Sequence, residues 1–276
     1  MLPFAVQRDL TGDEFRYITT LLHQHTGIKL APGKEALVAG RLDKRIRLLR
    51  LDGYGAYVEL LRSHDEAELH QMINLLTTNE TYFFRESQHF DYLERVVLPT
   101  RRTDRPFRLW SAASSTGEEA YTAAMVLAEA MPGAAWQIVG SDISTKVVDG
   151  ARKAFYPIAA AEKIPQRLLR KYCLRGLDEW AGLLTVSREL RARVEFQRVN
   201  LMEDFRQLGQ FDVIMLRNVM IYFDIETKRG LVPRLQERLQ PGGHLIIGSS
   251  ETLSGIPSDL RMVEPSIYQL GGERRG

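Results

Sequence analysis

The chain has 276 residues, 44% of them hydrophobic, with Lys+Arg 37 against Asp+Glu 35 and a single cysteine. That length accommodates one large α/β domain and a smaller companion. Lone Cys173 excludes an intramolecular disulfide framework and fits a reducing compartment, the cytoplasm. Near-neutral charge gives no reason to expect a nucleic-acid partner, and without an apolar leader core or a run of about 18 apolar residues neither secretion nor membrane spanning is expected.

From Asp13 to about Asn74 the pattern is helical throughout. Phe15, Ile18, Leu21 and Leu22 recur at spacings of three and four before Gly27 interrupts. A second helix is expected from Gly33 to Leu51, with Leu37, Leu42, Ile46 and Leu49 on its apolar side, and Asp52-Gly53 stops it. Tyr57 to Ser63 and Glu66 to Leu76 read as two more. Between Lys29 and Arg50, Lys29, Lys34, Arg41, Lys44, Arg45, Arg47 and Arg50 face only Glu35 and Asp43. This excess is either a solvated helix face or a docking surface.

Residues 79–86, Asn-Glu-Thr-Tyr-Phe-Phe-Arg-Glu, follow. Three aromatics among hydrogen-bonding side chains suit a linker seam, and Arg85 adds a guanidinium able to clamp a carboxylate at two points. From Phe107 onward, strands alternate with helices. Residues 107–110, 136–142, 194–200, 211–218 and 244–250 are the β-rich runs, which predicts a doubly wound parallel sheet with ligands beyond the carboxyl ends of its strands. Pro241-Gly242-Gly243 supplies the turn before the last run. The long connection from Ser144 to Arg193 contains an alternating stretch, 182–190, that predicts a small β insertion at about 176–193.

The loop after the first strand is Ser111-Ala-Ala-Ser-Ser-Thr-Gly-Glu-Glu119, leading into a helix from Ala120 to Met131. Small residues let a ligand approach the backbone, but the spacing is not GxGxxG, and Glu118 and Glu119 would repel a pyrophosphate. A ligand with a cationic amino group and a sulfonium suits them better, although two acids also simply favour a helix start. Asp142 ends the second strand, where a carboxylate either accepts a ribose's hydroxyls or caps the next helix. Asn200 and Leu201 after the third strand could meet an adenine. Arg217-Asn218 at the end of the fourth is a poor core choice unless partnered, and Tyr222 carries a phenol that is either catalytic or structural. The six histidines are scattered and no HExxH, GxxxxGK[ST] or GxSxG occurs, so no metal site is expected.

Taken together, Asn-Glu-Thr-Tyr-Phe-Phe-Arg-Glu, Leu-Trp-Ser-Ala-Ala-Ser-Ser-Thr-Gly-Glu-Glu-Ala-Tyr, Val-Gly-Ser-Asp-Ile-Ser, Val-Asn-Leu and Leu-Arg-Asn-Val-Met-Ile-Tyr-Phe-Asp strongly resemble the CheR-type chemotaxis receptor methyltransferases. The likeness runs over nearly the whole chain. It implies a class I SAM-dependent methyltransferase fold, a Rossmann-like seven-stranded sheet ending in an antiparallel hairpin. An N-terminal helical domain (4–74), a linker (75–88) and the methyltransferase domain (89–276) are the implied divisions. Implied contacts of the donor, S-adenosylmethionine, are Asn79, Thr81, Arg85, Glu119, Asp142, Asn200, Leu201, Arg217 and Asn218, with Arg85 and Tyr222 nearest the transfer. Ala120 stands where many members have Pro, and Leu216 where Cys is common.

The resemblance further implies methyl-accepting chemotaxis proteins as partners, through a Glu-rich helical region docking on Arg41, Lys44, Arg45, Arg47 and Arg50, or through a receptor C-terminal peptide. A cytoplasmic monomer recruited to receptor arrays, releasing S-adenosylhomocysteine, is expected. Chemistry agrees with a carboxylate acceptor, since a glutamate of reference pKa about 4.3 is already a nucleophile at neutral pH and needs no general base. A methyltransferase of the same fold with another acceptor, and a donor-binding adaptor with little turnover, are the alternatives.

Overall fold

A computed structural model describes residues 9–271; residues 4–8 of the expected helical domain and 272–276 of the expected methyltransferase domain lie outside it. Contacts divide the chain into two units. Residues up to Thr78 join Tyr222–Asp224 in one, and Asn79–Ile221 with Ile225 onward form the other.

The first unit is built on α1 (Gly12–Thr26), α2 (Glu35–Leu48), α3 (Tyr54–Arg62) and α4 (Glu66–Leu76). Thr11 and Glu14 form a reciprocal capping box at the start of α1, and Gly27 ends it at φ +72°, a conformation that a side chain would strain. Phe15, Ile18 and Leu22 then point inward. On α2 the buried stripe is Val38, Leu42 and Ile46, so the expected apolar side is rotated: Leu37 remains 39% exposed and Leu49 half-buried. Ile28 bridges to Phe223, which holds the Tyr222–Asp224 segment in this unit.

Two bases expected on the docking face are committed elsewhere. Arg41 donates to the Leu76 and Thr77 carbonyls and to Thr78 Oγ1, at 2.6, 3.3 and 2.9 Å. Arg45 grips buried Glu68 through Nε and Nη2, while Tyr57 donates to the same carboxylate at 2.8 Å. Arg41 and Arg45 therefore tie α2 to α3 and α4, and the exposed cations of the face reduce to Lys44, Arg47 and Arg50. Nearby unmet carbonyls and a buried carboxylate decide this, because a guanidinium gains more from fixed partners than from water.

The second unit opens with α5 (Gln88–Tyr92), continued by one π-helical turn over Leu93–Val97. The large sheet contains β1 (Phe107–Ser111), β2 (Trp136–Asp142), β6 (Val194–Arg198), β7 (Phe211–Leu216), β8 (Leu239–Ile247), β9 (Leu260–Glu264) and β10 (Ile267–Leu270). Its order is β6-β2-β1-β7-β8-β10-β9. The first five run parallel and β10 antiparallel to β8, so the sheet is seven-stranded with a closing antiparallel hairpin. β1 and β2 are almost wholly buried, as expected for strands covered on both faces. The main covering helices are α6 (Glu118–Ala130), α7 (Thr145–Lys153) and α10 (Ile225–Gln236).

Short α8 (Gln166–Tyr172) and α9 (Arg188–Arg191) flank the small antiparallel sheet, ordered β3-β5-β4 from β3 (Phe155–Pro157), β4 (Cys173–Arg175) and β5 (Leu183–Val186). The insertion thus begins some twenty residues before the expected 176–193. Its first two strands have three residues each, too few to show a period.

Candidate functional site

Elements of the second unit converge at the carboxyl ends of β1, β2, β6 and β7. The β1–α6 loop turns at Gly117, φ +96°, where a Cβ would lie 2.9 Å from the Ala151 side chain and 3.0 Å from Phe196. Gly140 in β2 is equally constrained, since a Cβ there would meet the Phe196 ring at 2.4 Å. Glycine at both positions lets α7 and β6 close against the loop and β2.

Three carboxylates stand around this loop. Asp142 accepts the Ser115 and Ser144 amides at 3.0 and 2.9 Å, one on each oxygen, and is 8% exposed. Glu119 accepts from Ser111 Oγ at 2.7 Å and from Arg217 Nη1 at 2.8 Å. Glu118 accepts from Thr116 Oγ1 at 2.7 Å. Burial pushes all three carboxyls above their ordinary range, against the pull of these donors. A cluster of acids that is uncomfortable when ionised gains from a cationic or hydroxyl-bearing ligand. Buried Ser114 Oγ and Ser144 Oγ beside the cluster have no hydrogen-bond partner among the described residues.

Arg217 lies behind the cluster with its side chain 1% exposed. Besides Glu119, its Nη2 reaches the Arg85 carbonyl at 2.5 Å and Glu86 at 3.4 Å, and its guanidinium lies over the Phe90 ring. These are the partners that a buried Arg at a strand end requires. Asn218 follows at φ +58°, its amide donating to Glu251 at 3.0 Å and its Nδ2 to Glu86 at 3.0 Å.

The aromatic segment enters the same region. The Asn79 carbonyl accepts from Ser115 Oγ at 2.8 Å, the Phe84 amide donates to Thr122 Oγ1 at 3.1 Å, and buried Phe83 meets Tyr156 edge-on. Thr81 and Arg85 are half-buried. Arg85 bonds the Glu80 carbonyl at 2.8 Å and rests by Tyr82. Asn200 is buried, its carboxamide engaged by Glu203 and the Met202 amide, and Leu201 beside it is 7% exposed. Tyr222 belongs by its contacts to the helical unit, where its carbonyl accepts the Lys29 amide at 2.8 Å.

Sequence reading missed Glu86 and Glu251. Glu86 ends the aromatic motif and Glu251 follows a strand end by four residues, but their partner Asn218 lies 132 and 33 residues away, so no local signal marks either. Burial opposes Glu86's charge, but Asn218, Arg217 and Ser249 outweigh it and bring the carboxyl down to about 2. Among the described residues no group of three His, Cys, Asp or Glu gathers to hold a metal, and no helix is long and apolar enough to cross a membrane.

Comparison with known proteins agrees with this geometry. Residues 13–77 match the family model described as CheR methyltransferase, all-alpha domain, and residues 79–268 that described as CheR methyltransferase, SAM binding domain. The chemotaxis protein methyltransferase of Salmonella typhimurium is 39% identical over 279 residues, covering 99% of this chain and 96% of that protein. Chemotaxis protein methyltransferase 2 of Pseudomonas aeruginosa is 41% identical over 261 residues, 94% and 93% of the two chains. With the family models covering residues 13–77 and 79–268 and relatives about 40% identical over nearly the whole chain, the chain belongs to the CheR methyltransferase family.

Proposed function

We propose that the protein moves a methyl group from S-adenosylmethionine to glutamate side chains of methyl-accepting chemotaxis receptors, leaving glutamyl methyl esters and S-adenosylhomocysteine, in sensory adaptation. The observation that carries this reading is the set of buried carboxylates at the β1 and β2 ends, matched to a donor bearing an ammonium, a sulfonium and ribose hydroxyls. Bound there, S-adenosylmethionine supplies an electrophilic methyl on positive sulfur.

Asn79, Thr81, Arg85, Glu119, Asp142, Asn200, Leu201, Arg217 and Asn218 hold the donor in this reading. Asp142 and Glu119 offer acceptors, buried Leu201 an apolar wall, and Arg217 keeps Glu119 in place. Arg85, whose fork has room beyond its single bond to Glu80, orients the incoming carboxylate. No residue need remove a proton. What the chain contributes is alignment and exclusion of water, because transfer between an anion and a cation annihilates charge and gains from a dry site.

The receptor's Glu-rich helices dock on Lys44 and Arg47 of α2 and on Arg50 in the turn after it. A receptor C-terminal peptide adds to the small sheet, where Leu174 and Leu177 are 60% and 72% exposed and Phe155 stacks on half-exposed Trp180. The enzyme works in the cytoplasm at receptor arrays.

Incubation with labelled donor and receptor fragments tests the reading. Label that base releases as methanol, with inhibition by S-adenosylhomocysteine, is the expected result. A base-stable label would mean another acceptor, and no incorporation would mean a donor-binding adaptor.

A further inference from the structure

Three non-glycine residues of the second unit lie close together in the left-handed region: Phe84 at φ +57°, Glu86 at +54° and Asn218 at +58°. Each costs of order 1 kcal/mol and persists only where surrounding contacts fix it. For Asn218 those contacts are two carboxylates, Glu251 and Glu86. Glu251 holds the main chain: its Oε2 accepts the amides of Asn218 and Gly248 at 3.0 and 2.6 Å, and its Oε1 the amide of Ile221 at 3.1 Å. Both ends of the Asn218–Ile221 turn therefore hang from one side chain. Glu86 holds the Asn218 side chain: its Oε1 accepts from Nδ2 at 3.0 Å, while its Oε2 is fixed by the Ser249 amide and hydroxyl, both at 3.0 Å.

The end of β8 is shaped for this arrangement. A Cβ on Gly248 would stand 2.7 Å from Asn218 Nδ2 and 2.9 Å from Glu251 Oε2, so only glycine admits both the carboxamide and the carboxylate. Binding Nδ2 to Glu86 also settles the orientation of the carboxamide. Its NH2 faces an anion, and Oδ1 is the end left to accept from a ligand's N–H or O–H.

We propose that Glu86 and Glu251 are positioning residues of the methyl-donor site: Glu251 locks the Asn218–Ile221 turn, Glu86 orients the Asn218 carboxamide as an acceptor, and neither touches the donor. The inference rests on the reading above that Asn218 contacts the donor. Replacing Glu86 by Gln removes the charge that selects NH2 over oxygen at Asn218. Replacing Glu251 by Gln sets an NH2 against backbone N–H groups, which loosens the turn with no change of volume.

The test is calorimetric affinity for S-adenosylhomocysteine in the full chain, with kcat and KM for donor and receptor fragment. Glu86→Gln and Glu251→Gln should each weaken binding about ten- to a hundredfold and raise KM for the donor correspondingly, with KM for the receptor fragment unmoved. Because both hold Asn218, combining either with Asn218→Ala should cost clearly less than the sum of the two single losses. Additive losses, or undiminished affinity in the two Gln variants while Asn218→Ala and Asp142→Ala bind weakly, overturn the inference. Undiminished affinity in Asn218→Ala and Asp142→Ala overturns the donor-site reading beneath it. Should Glu251→Gln fail to fold, half-buried Glu86 carries the same cycle.

Discussion

Each unit contains an arginine enclosed by acids, and the two clusters differ in how completely they are satisfied. In the helical unit, Arg45 meets Glu68 through two nitrogens while Tyr57 takes up the remaining capacity of the carboxylate, and the pair spans α2, α3 and α4. In the α/β unit, Arg217 divides its guanidinium between Glu119, Glu86 and the Arg85 carbonyl, and its buried Nε has no partner among the described residues. Glu119 is disfavoured as an anion by burial, whereas Glu86 is strongly favoured. A closed pair such as Arg45–Glu68 joins helices. An incompletely satisfied one, beside strained backbone, keeps polar capacity that a bound molecule can use.

The largest effect is expected from Arg217→Met, which leaves Glu119 and Glu86 without their counterion. About 4 kcal/mol of stability should be lost, and S-adenosylhomocysteine binding should fall below calorimetric detection; near-normal affinity would mean that the cluster is only structural. Glu68→Gln should cost about 3 kcal/mol in denaturant unfolding yet leave that affinity unchanged, which separates the two clusters.

Acid sharpens the contrast through the histidines of the second unit. Burial, reinforced at His89 by the Arg217 charge, lowers His89 and His244 to about 4 from an unfolded value near 6.5. Both fold as neutral rings, so their contribution is complete above pH about 6.5 and is lost as pH falls towards 4. On the order of 2 kcal/mol per residue should disappear across that window, and His244→Phe should remove its share of the slope in unfolding measured against pH. The smallest effect belongs to the solvated face of α2. Arg47→Glu with Arg50→Glu should raise KM for the receptor fragment about fivefold at low salt, less at high salt, with KM for the donor unmoved.

Candidate site residues were legible because strand ends in a doubly wound sheet mark such positions by place alone. Asp142, Asn200 and Arg217-Asn218 were singled out in this way, and Glu119 by the misfit of an acid in a phosphate-type loop. Asp142 shows the limit of that reading, since the structure also gives it the cap-like role of accepting Ser144's amide. Glu86 and Glu251 were not legible, because what they do depends on partners 132 and 33 residues away.

Local order came from the sequence by itself: the helices of the first unit, the five parallel strands and the acidic loop follow from periods of 3.6 and 2 and from short-range capping, which neighbouring residues encode. Tertiary structure alone decided which charges are used up. Arg41 and Arg45 read like Arg47 and Arg50 in the same basic segment, yet the first pair serves carbonyls and a carboxylate more than twenty residues away while the second is exposed. A charge's role depends on its desolvation and on the partners that the fold brings to it, and neither quantity is local.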